Sequence, residues 1–348
     1  MDDSAPSRPF AHHVPAQPSA RFDGTPPLAP VPRWLPGGQL QTLWPAVAAR
    51  RYEGAVPIWQ RERWSTPDGD FVDADWLVGA AAPAAPLLVL FHGLEGSSAS
   101  HYCQAFASRA RALGWRCVVP HFRGCSGELN LAPRAYHSGD HVEIGWMMAQ
   151  VAARHAGPLV AVGVSLGGNA LLRWAEEAGH SAAARLRAVV SVCAPIDLAA
   201  SGQAIGRGLN RLIYTPMFLR SMKPKALAKL AQHPGLFDPD RLRAARTLYE
   251  FDNVFTAPLH GFRDTDDYWA RASALPRLGE IRVPALVLNP RNDPFVPATC
   301  LPSPGQPTDW VTLWQPAQGG HVGFPAGAFP GHVLSLPDAV THWLAQQL

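Results

Sequence analysis

The sequence predicts an α/β protein built on a mostly parallel, doubly wound sheet of about eight strands. Three observations lead to this class. From Leu87 onward, short apolar runs alternate with stretches of helical spacing. Ser165 stands between glycines where one of these runs passes directly into a helical pattern. A carboxylate and a histidine, Asp293 and His321, follow two later apolar runs.

The first expected strands form a pair at one edge of the sheet. Two β-like stretches cover residues 59–65 and 71–78, and the sequence Thr-Pro-Asp-Gly at 66–69 separates them. Pro presets the backbone for a turn, and Gly accepts the left-handed conformation that closes it. The pattern therefore favours a hairpin.

The strands and helices of the alternating region follow in chain order. Residues 87–91 form a continuous apolar run, which is typical of a central strand covered on both faces. Further strands are expected at 115–120, 159–164, 186–193, 285–288 and 310–314, and helices at 102–113, 142–154 and 338–348. Repeated units of this kind place helices on both faces of a parallel sheet.

Two segments depart from this pattern. Residues 1–32 contain eight prolines and little periodicity, so we interpret them as a flexible leader before a single large α/β domain at 33–348. The connection from 195 to 284 is too long for a simple crossover and carries several helical patterns. It predicts a helical cap at about 197–273, over the edge where open α/β sheets bind ligands.

The cap contains a basic, amphipathic stretch at 208–231. A solvated outer face with an apolar inner face accounts for such a pattern. Peripheral contact with a membrane surface or with anionic lipid heads is the alternative.

Composition excludes several classes of function. The chain of 348 residues has 47% hydrophobic residues and a net charge of +3, which fits a soluble globular protein and gives no support for nucleic-acid binding. No apolar run approaches the roughly 20 residues of a membrane span, and the N-terminus lacks a secretory pattern. Five cysteines without C-x-x-C spacing argue against a disulfide framework. A cytoplasmic location is therefore expected.

Ser165 is the candidate nucleophile. A strand that turns sharply into a helix lifts the side chain between them out of the sheet, and the helix that follows offers unpaired N–H groups. A glycine-rich turn whose serine only caps the helix is the structural alternative.

A serine nucleophile needs a base, and the base needs a carboxylate that orients it. In this arrangement the carboxylate and then the histidine follow the serine along the chain. Asp293 follows the strand at 285–288, and His321 follows the strand at 310–314. Asp197, after the strand at 186–193, is the competing carboxylate.

The oxyanion hole requires two backbone donors. The N–H of Leu166, directly after the nucleophile, is one candidate. The loop after the strand at 87–91 reads His-Gly-Leu-Glu-Gly, which assigns the second N–H to Leu94 and an ordering role to His92.

Two groups of residues offer metal-ligand chemistry at close spacing. One comprises His137, Asp140, His141 and Glu143, and the other His92, Glu95 and His101. Neither matches a zinc-enzyme signature, and the glycine-rich turn at 163–168 lacks the lysine of a phosphate-binding loop. The sequence therefore predicts neither a metal nor another cofactor.

The motifs together resemble the YheT-like branch of the α/β-hydrolases. They occur in family order over about residues 34–325: QLQTLWP at 39–45, FHGLEGS at 91–97, HFRGCSG at 121–127, YHSG at 136–139, VGVSLGGN at 162–169, FDN at 251–253, HGF at 260–262, NDPF at 292–295 and GGHVGF at 319–324. The resemblance implies an α/β-hydrolase fold and a charge relay on Ser165, Asp293 and His321. It also implies a carboxylesterase or lipase acting on short- to medium-chain acyl esters, including some phospholipids.

The expected function is a serine carboxylic-ester hydrolase that works through an acyl-enzyme on a small-molecule acyl ester. Two alternatives remain at this level. One is an acyltransferase that moves the acyl group to an alcohol, and the other is a binding protein that keeps the fold without catalysis. The oligomeric state is left open.

Overall fold

A single sheet organises the fold in the computed structural model, which describes residues 28–79, 81–303 and 309–348. Most of the expected leader at 1–32 lies outside the described residues. Within these ranges the strands are β1 (Trp59–Ser65), β2 (Phe71–Leu77), β3 (Leu87–Phe91), β4 (Arg116–Pro120), β5 (Leu159–Val164), β6 (Ala188–Val192), β7 (Ala285–Leu288) and β8 (Val311–Trp314).

The strands lie in the order β1-β2-β4-β3-β5-β6-β7-β8. The pairings β1–β2 and β2–β4 are antiparallel, and all pairings from β4 to β8 are parallel. The hairpin at the sheet edge forms as expected, with the Gly69 N–H donating to the Thr66 carbonyl oxygen at 3.1 Å. The predicted fold class, a mostly parallel eight-stranded sheet, is confirmed.

The helices follow the chain between and around the strands. They are α1 (Gly37–Val47), α2 (His101–Ala112), α3 (His141–Arg154), α4 (Leu166–Ala178), α5 (His180–Ala183), α6 (Leu198–Ile205), α7 (Gly208–Gln232), α8 (Pro239–Ala244), α9 (Leu248–Val254), α10 (Thr256–Leu259), α11 (Thr265–Ala272) and α12 (Ser335–Ala345). Short 3₁₀ turns occupy Leu275–Glu280 and Ala298–Cys300. In the described ranges, no helix combines the length and the apolar character needed to cross a bilayer.

Two apolar layers hold the sheet between its helices. On one face, Ile144 of α3 and Leu171 of α4 pack in a cluster with Val89 of β3. On the other face, Phe106 of α2 and Trp343 of α12 pack in a cluster with the neighbouring strand residues. Helices on both faces explain why the central strands are continuously apolar.

Some boundaries differ from the sequence-based expectation. Helix α12 begins at Ser335 instead of 338, because Pro337 falls in its first turn, where the missing N–H of proline removes no helical hydrogen bond. Strand β6 is shorter than the apolar run at 186–193. Directly after its end, Cys193 has a positive φ of 51°, which ends the regular strand although its N–H still donates to the Leu288 carbonyl oxygen at 2.7 Å.

Helices α6 to α11 lie between β6 and β7, where the sequence predicts a cap. Each of α6, α8, α9 and α11 begins at an Asp or Thr whose side-chain oxygen accepts a backbone N–H of the first turn. Such N-caps satisfy donors that the helix itself cannot satisfy. The division into a leader, a main domain and a cap unit stays a prediction.

The turn from β5 to α4 is tightly packed. Ser165 has φ 53° and ψ −120°, a conformation that side-chain-bearing residues rarely adopt. Its N–H donates to the Val192 carbonyl oxygen at 2.8 Å, and its own carbonyl oxygen accepts from the Gly168 N–H at 2.9 Å. A Cβ added at Gly163 would lie 2.4 Å from the Gly167 carbonyl oxygen, so glycine is required there.

Substituting Gly163→Ala should therefore destabilise the protein by about 1–3 kcal/mol, the usual effect of overpacking a core. Gly79→Ala is the matched control, because a Cβ at Gly79 meets nothing within 4 Å. Urea unfolding followed by circular dichroism measures both variants. Equal stabilities of the two variants would contradict the packing argument.

Candidate active site

Ser165, His321 and Asp293 meet beyond the carboxyl ends of β5, β7 and β8. The Ser165 Oγ lies 3.0 Å from His321 Nε2, and His321 Nδ1 lies 2.8 Å from Asp293 Oδ2. The Asp293 carboxylate is fully buried, while the imidazole is 10% exposed. The three side chains thus form a continuous hydrogen-bonded relay across 156 residues of sequence.

The Asp293 carboxylate is held from two directions. Its Oδ1 accepts the backbone N–H groups of Phe295 at 2.7 Å and of Val296 at 3.3 Å. Its Oδ2 is left for the imidazole of His321. Because a carboxylate only accepts, His321 carries its proton on Nδ1 and turns the lone pair of Nε2 toward the Ser165 hydroxyl.

Helix α1 fixes the loop that carries His321. The Thr42 hydroxyl accepts the His321 backbone N–H at 2.8 Å. The Gln41 side-chain oxygen accepts the Gly319 N–H at 3.1 Å and the Asn292 amide at 2.8 Å. Helix α1 therefore ties the histidine loop to the loop that bears Asp293.

Asp197 does not reach this relay. Its Oδ1 accepts the backbone N–H of Ala200 at 3.0 Å, so it serves as the N-cap of α6. The two candidate carboxylates thus follow neighbouring strands, and the structure places Asp293 against the histidine. Asp264 lies in the insertion, the segment with α6 to α11 between β6 and β7, and likewise caps a helix, α11.

The loop after β3 lies against the turn that bears Ser165. A Cβ at Gly93 would lie 3.2 Å from the Ser165 Cβ, which shows how closely the two loops approach. His92 is fully buried; its Nε2 accepts the Phe122 N–H at 3.1 Å and its Nδ1 donates to the Gly93 carbonyl oxygen at 2.8 Å. Burial, with His121 nearby, lowers the pKa of His92 to about 3, so it remains a neutral structural residue.

Two backbone N–H groups near Ser165 are available. Leu166 is the first residue of α4, and the first N–H groups of a helix have no partner within it. Leu94 lies outside any helix or strand. In the described part of the chain, neither N–H donates a hydrogen bond to a protein acceptor. Both are the donors that the sequence predicts for an oxyanion hole.

Glu95 links the loop after β3 to the helices of the insertion. Its N–H donates to the Tyr136 hydroxyl oxygen at 2.9 Å, and its carboxylate accepts the same hydroxyl at 2.9 Å. The Lys225 ammonium of α7 lies 2.9 Å from the Glu95 carboxylate. Glu95 has a positive φ of 57°, so these contacts hold a strained residue directly after Leu94.

A cavity of about 150 Å³ opens at Ser165. Leu94, Ser165 and Leu166 line one side, and side chains of α6, α7, α9 and α11 line the other: Leu198, Ile205, Phe218, Met222, Ala226, Phe251 and Trp269. The helices between β6 and β7 therefore cover the relay with a largely apolar wall.

The charged groups in the cavity wall are paired or held by hydrogen bonds. The Arg123 guanidinium contacts Asp70 and Glu143, each at 2.8 Å. The Lys229 ammonium donates to the Asn130 and Ala132 carbonyl oxygens, and burial lowers its pKa to about 8. Because these charged groups are satisfied by protein partners in the wall, the interior of the cavity is mainly apolar.

The residues considered as metal ligands have other partners. Asp140 caps α3 and contacts Arg134, while Glu143 contacts Arg123. Among the described residues, Cys193, Asp293 and His321 are the set whose ligand-type atoms lie within 4.8 Å of one another. Two of these belong to the relay, and burial raises the pKa of the Cys193 thiol well above its usual range.

Sequence reasoning missed the residues that support the relay. Thr42, Gln41 and Lys225 each act on a loop that is remote in sequence. The sequences QLQTLWP at 39–45 and FHGLEGS at 91–97 mark two of the regions involved, yet neither indicates which partner it meets.

The comparisons with known proteins agree with this architecture. Residues 86–328 match the family model described as the alpha/beta hydrolase fold. The chain is 38% identical to YheT of Escherichia coli (strain K12) over 314 residues, which cover 89% of this chain and 90% of that protein. It is 30% identical to the phospholipase ABHD3 of Mus musculus over 284 residues, covering 78% of this chain and 68% of that protein.

A solved structure is similar in fold at low sequence identity. The esterase Pf2001 of Pyrococcus furiosus superposes with a TM-score of 0.50 at 13% identity, covering 86% of this chain and 96% of that one. The chain belongs to the α/β-hydrolase family, and its similarity to YheT confirms the expected YheT-like branch. The predicted class, a hydrolase of the esterase and lipase type, is confirmed at that level of detail.

Separate substitutions of the two candidate carboxylates test which of them acts on His321. Asp293→Asn should lower kcat by roughly 10⁴-fold, because the amide cannot hold the required imidazole tautomer. Asp197→Asn is the matched control and should stay within about twofold of the unaltered protein, since Asn is also a good N-cap. Turnover of a p-nitrophenyl ester measures both. A larger loss in Asp197→Asn would contradict the assignment.

Proposed function

We propose that the protein is a serine carboxylic-ester hydrolase that forms an acyl-enzyme on Ser165 and uses no cofactor. The single observation that carries the proposal is the relay of 3.0 Å and 2.8 Å from Ser165 through His321 to Asp293. A serine hydroxyl becomes a nucleophile when a neighbouring base accepts its proton. The relay opens on an apolar cavity, where a substrate can reach it.

His321 accepts and then donates a proton in both halves of the reaction. His321 Nε2 accepts the Ser165 proton while Oγ attacks the ester carbonyl carbon, and Asp293 stabilises the resulting imidazolium. The imidazolium then protonates the departing alcohol, which leaves the acyl group on Ser165. Water gives a proton to His321 as it attacks the acyl-enzyme. The imidazolium then returns a proton to the Ser165 Oγ as the bond to the acyl carbon breaks, which releases the acid and restores the serine hydroxyl.

The negative oxygen that forms in each tetrahedral intermediate needs hydrogen-bond donors. The Leu94 and Leu166 N–H groups are free of protein acceptors in the described ranges, and both residues line the cavity together with Ser165. The N-terminus of α4 adds a positive partial charge at the same point. We therefore assign these two N–H groups to the oxyanion hole.

The cavity favours an uncharged acyl chain of short to medium length. Its volume of about 150 Å³ is comparable to that of engineered apolar cavities that bind benzene. The charged groups in its wall are paired, as in Glu95–Lys225, or held by hydrogen bonds, as in Lys229, so a charged group in the cavity would lack a free partner. The mouse relative is named a phospholipase, which is consistent with an ester of a fatty acid as substrate.

Removal of the nucleophile tests the activity. Ser165→Ala should lower hydrolysis of p-nitrophenyl butyrate by roughly 10⁴-fold or more and abolish labelling by a fluorophosphonate probe. Ser181→Ala, an exposed serine of α5, is the control and should label fully. Circular dichroism checks that both variants fold. Unchanged turnover in Ser165→Ala would refute the proposal.

The same assay with added ethanol separates hydrolysis from acyl transfer. A hydrolase releases mainly butyric acid at modest ethanol concentrations, whereas a transferase releases mainly ethyl butyrate. Failure of the unaltered protein to label with the probe would instead support a non-catalytic binding protein.

A larger side chain in the cavity should shorten the preferred acyl chain. Met222→Trp should lower the ratio of kcat/KM for p-nitrophenyl octanoate to that for the butyrate by about tenfold, because excluding two methylenes costs about 0.8 kcal/mol each. Met217→Trp is the matched control, since Met217 lies on the same helix with 53% of its surface exposed. Equal ratios in both variants would contradict the placement of the acyl chain.

A further inference from the structure

Helix α7 carries an apolar stripe on its exposed side. Leu209, Leu212 and Met217 are 61%, 73% and 53% exposed, and Ile213 and Pro216 are exposed beside them. The spacing of these five positions is that of one helix face. The buried side of α7 is formed by other residues, including Tyr214 and Leu219. The stripe therefore lies on a different side of α7 from the residues that pack on the protein.

The surroundings of this stripe are basic. Between Asp197 and Asp238 the chain has no acidic residue and six basic ones. Arg207 directly precedes α7 and Arg220 continues the stripe by one turn. Both are exposed, and neither forms an ion pair within the described part of the chain. The whole chain has 30 Lys and Arg against 27 Asp and Glu, so this local excess of positive charge does not reflect its average.

The opposite side of the same helix lines the catalytic cavity. Phe218, Met222 and Ala226 of α7 face the space above Ser165. A helix with its side chains is about 10–12 Å thick. A surface that contacts the stripe would therefore lie about one helix diameter from the cavity.

We propose that the outer face of α7, the stripe Leu209, Leu212, Ile213, Pro216 and Met217 with Arg220 one turn further on, docks on an anionic lipid membrane. Helices that lie in a membrane interface combine an apolar face with Lys and Arg beside it. Each basic residue near an anionic surface strengthens the attraction to it. A second copy of this chain is a poorer occupant, because two such faces would bring like charges together. The docking itself is independent of the proposed ester hydrolysis.

Vesicle binding by the full-length protein tests the proposal. The protein should co-sediment with vesicles of equal parts phosphatidylcholine and phosphatidylglycerol about tenfold more strongly than with phosphatidylcholine alone. Added salt should weaken this binding, because it screens exposed charges. Absence of binding to the mixed vesicles would overturn the proposal.

Variants locate the contact on the helix. The double variant Leu212→Glu with Met217→Glu should bind the mixed vesicles at least about tenfold less, since it places two acidic groups in the apolar contact. Arg220→Gln should also bind the mixed vesicles less and weaken the dependence on salt. The control is Val142→Glu on α3, a single apolar residue that is 68% exposed, and it should bind normally. An equal loss in the control would overturn the assignment to α7.

Two further measurements separate the remaining outcomes. Ser165→Ala should bind vesicles normally. The Leu212→Glu with Met217→Glu variant should hydrolyse soluble p-nitrophenyl butyrate normally. A failure of docking and a failure of catalysis are therefore distinguishable. Light scattering after size exclusion reports self-association. A dimer that the double variant dissociates, without vesicle binding, would identify a self-association surface and refute membrane docking.

Discussion

The strained turn at Ser165 is the constraint on which the rest of the site depends. With φ 53° and ψ −120°, it directs the side chain away from the sheet while its backbone bonds to β6 and to the first turn of α4. The turn closes only because residues 163 and 167 are glycines, since neighbouring backbone atoms leave no space for a Cβ at either position. Strain of this kind persists where the surrounding structure imposes it. The strained turn places the Ser165 hydroxyl next to the Leu166 N–H, which has no protein acceptor among the described residues.

The parallel sheet then determines what can meet that hydroxyl. Strands β5, β7 and β8 end at the same edge, so the loops after them converge although they are distant in sequence. Helix α1 completes the arrangement from outside the sheet, since Thr42 and Gln41 hold the backbone around His321. The relay consequently depends on hydrogen bonds to main-chain groups as much as on its own side chains.

The insertion between β6 and β7 gives the site its environment. Its inner surface is largely apolar and its charges are paired or hydrogen-bonded, which suits an acyl chain and strengthens the electrostatic interactions inside. The contact of Lys225 with Glu95 joins α7 to the loop that carries Leu94. A single helix thus contributes to the cavity wall, to the support of a proposed oxyanion donor, and to the outer surface proposed for lipid contact.

The sequence by itself determined the strands, the strand-to-helix turn and the candidates Ser165, Asp293 and His321, because apolar periodicity and glycine-rich turns are local properties. The tertiary structure shows which carboxylate contacts the histidine, since Asp293 and Asp197 both follow a strand and only spatial position distinguishes a relay partner from a helix cap. It also decided that Leu212 and Met217 are exposed and that Lys225 meets Glu95. Such contacts depend on how distant segments pack, which no local pattern encodes.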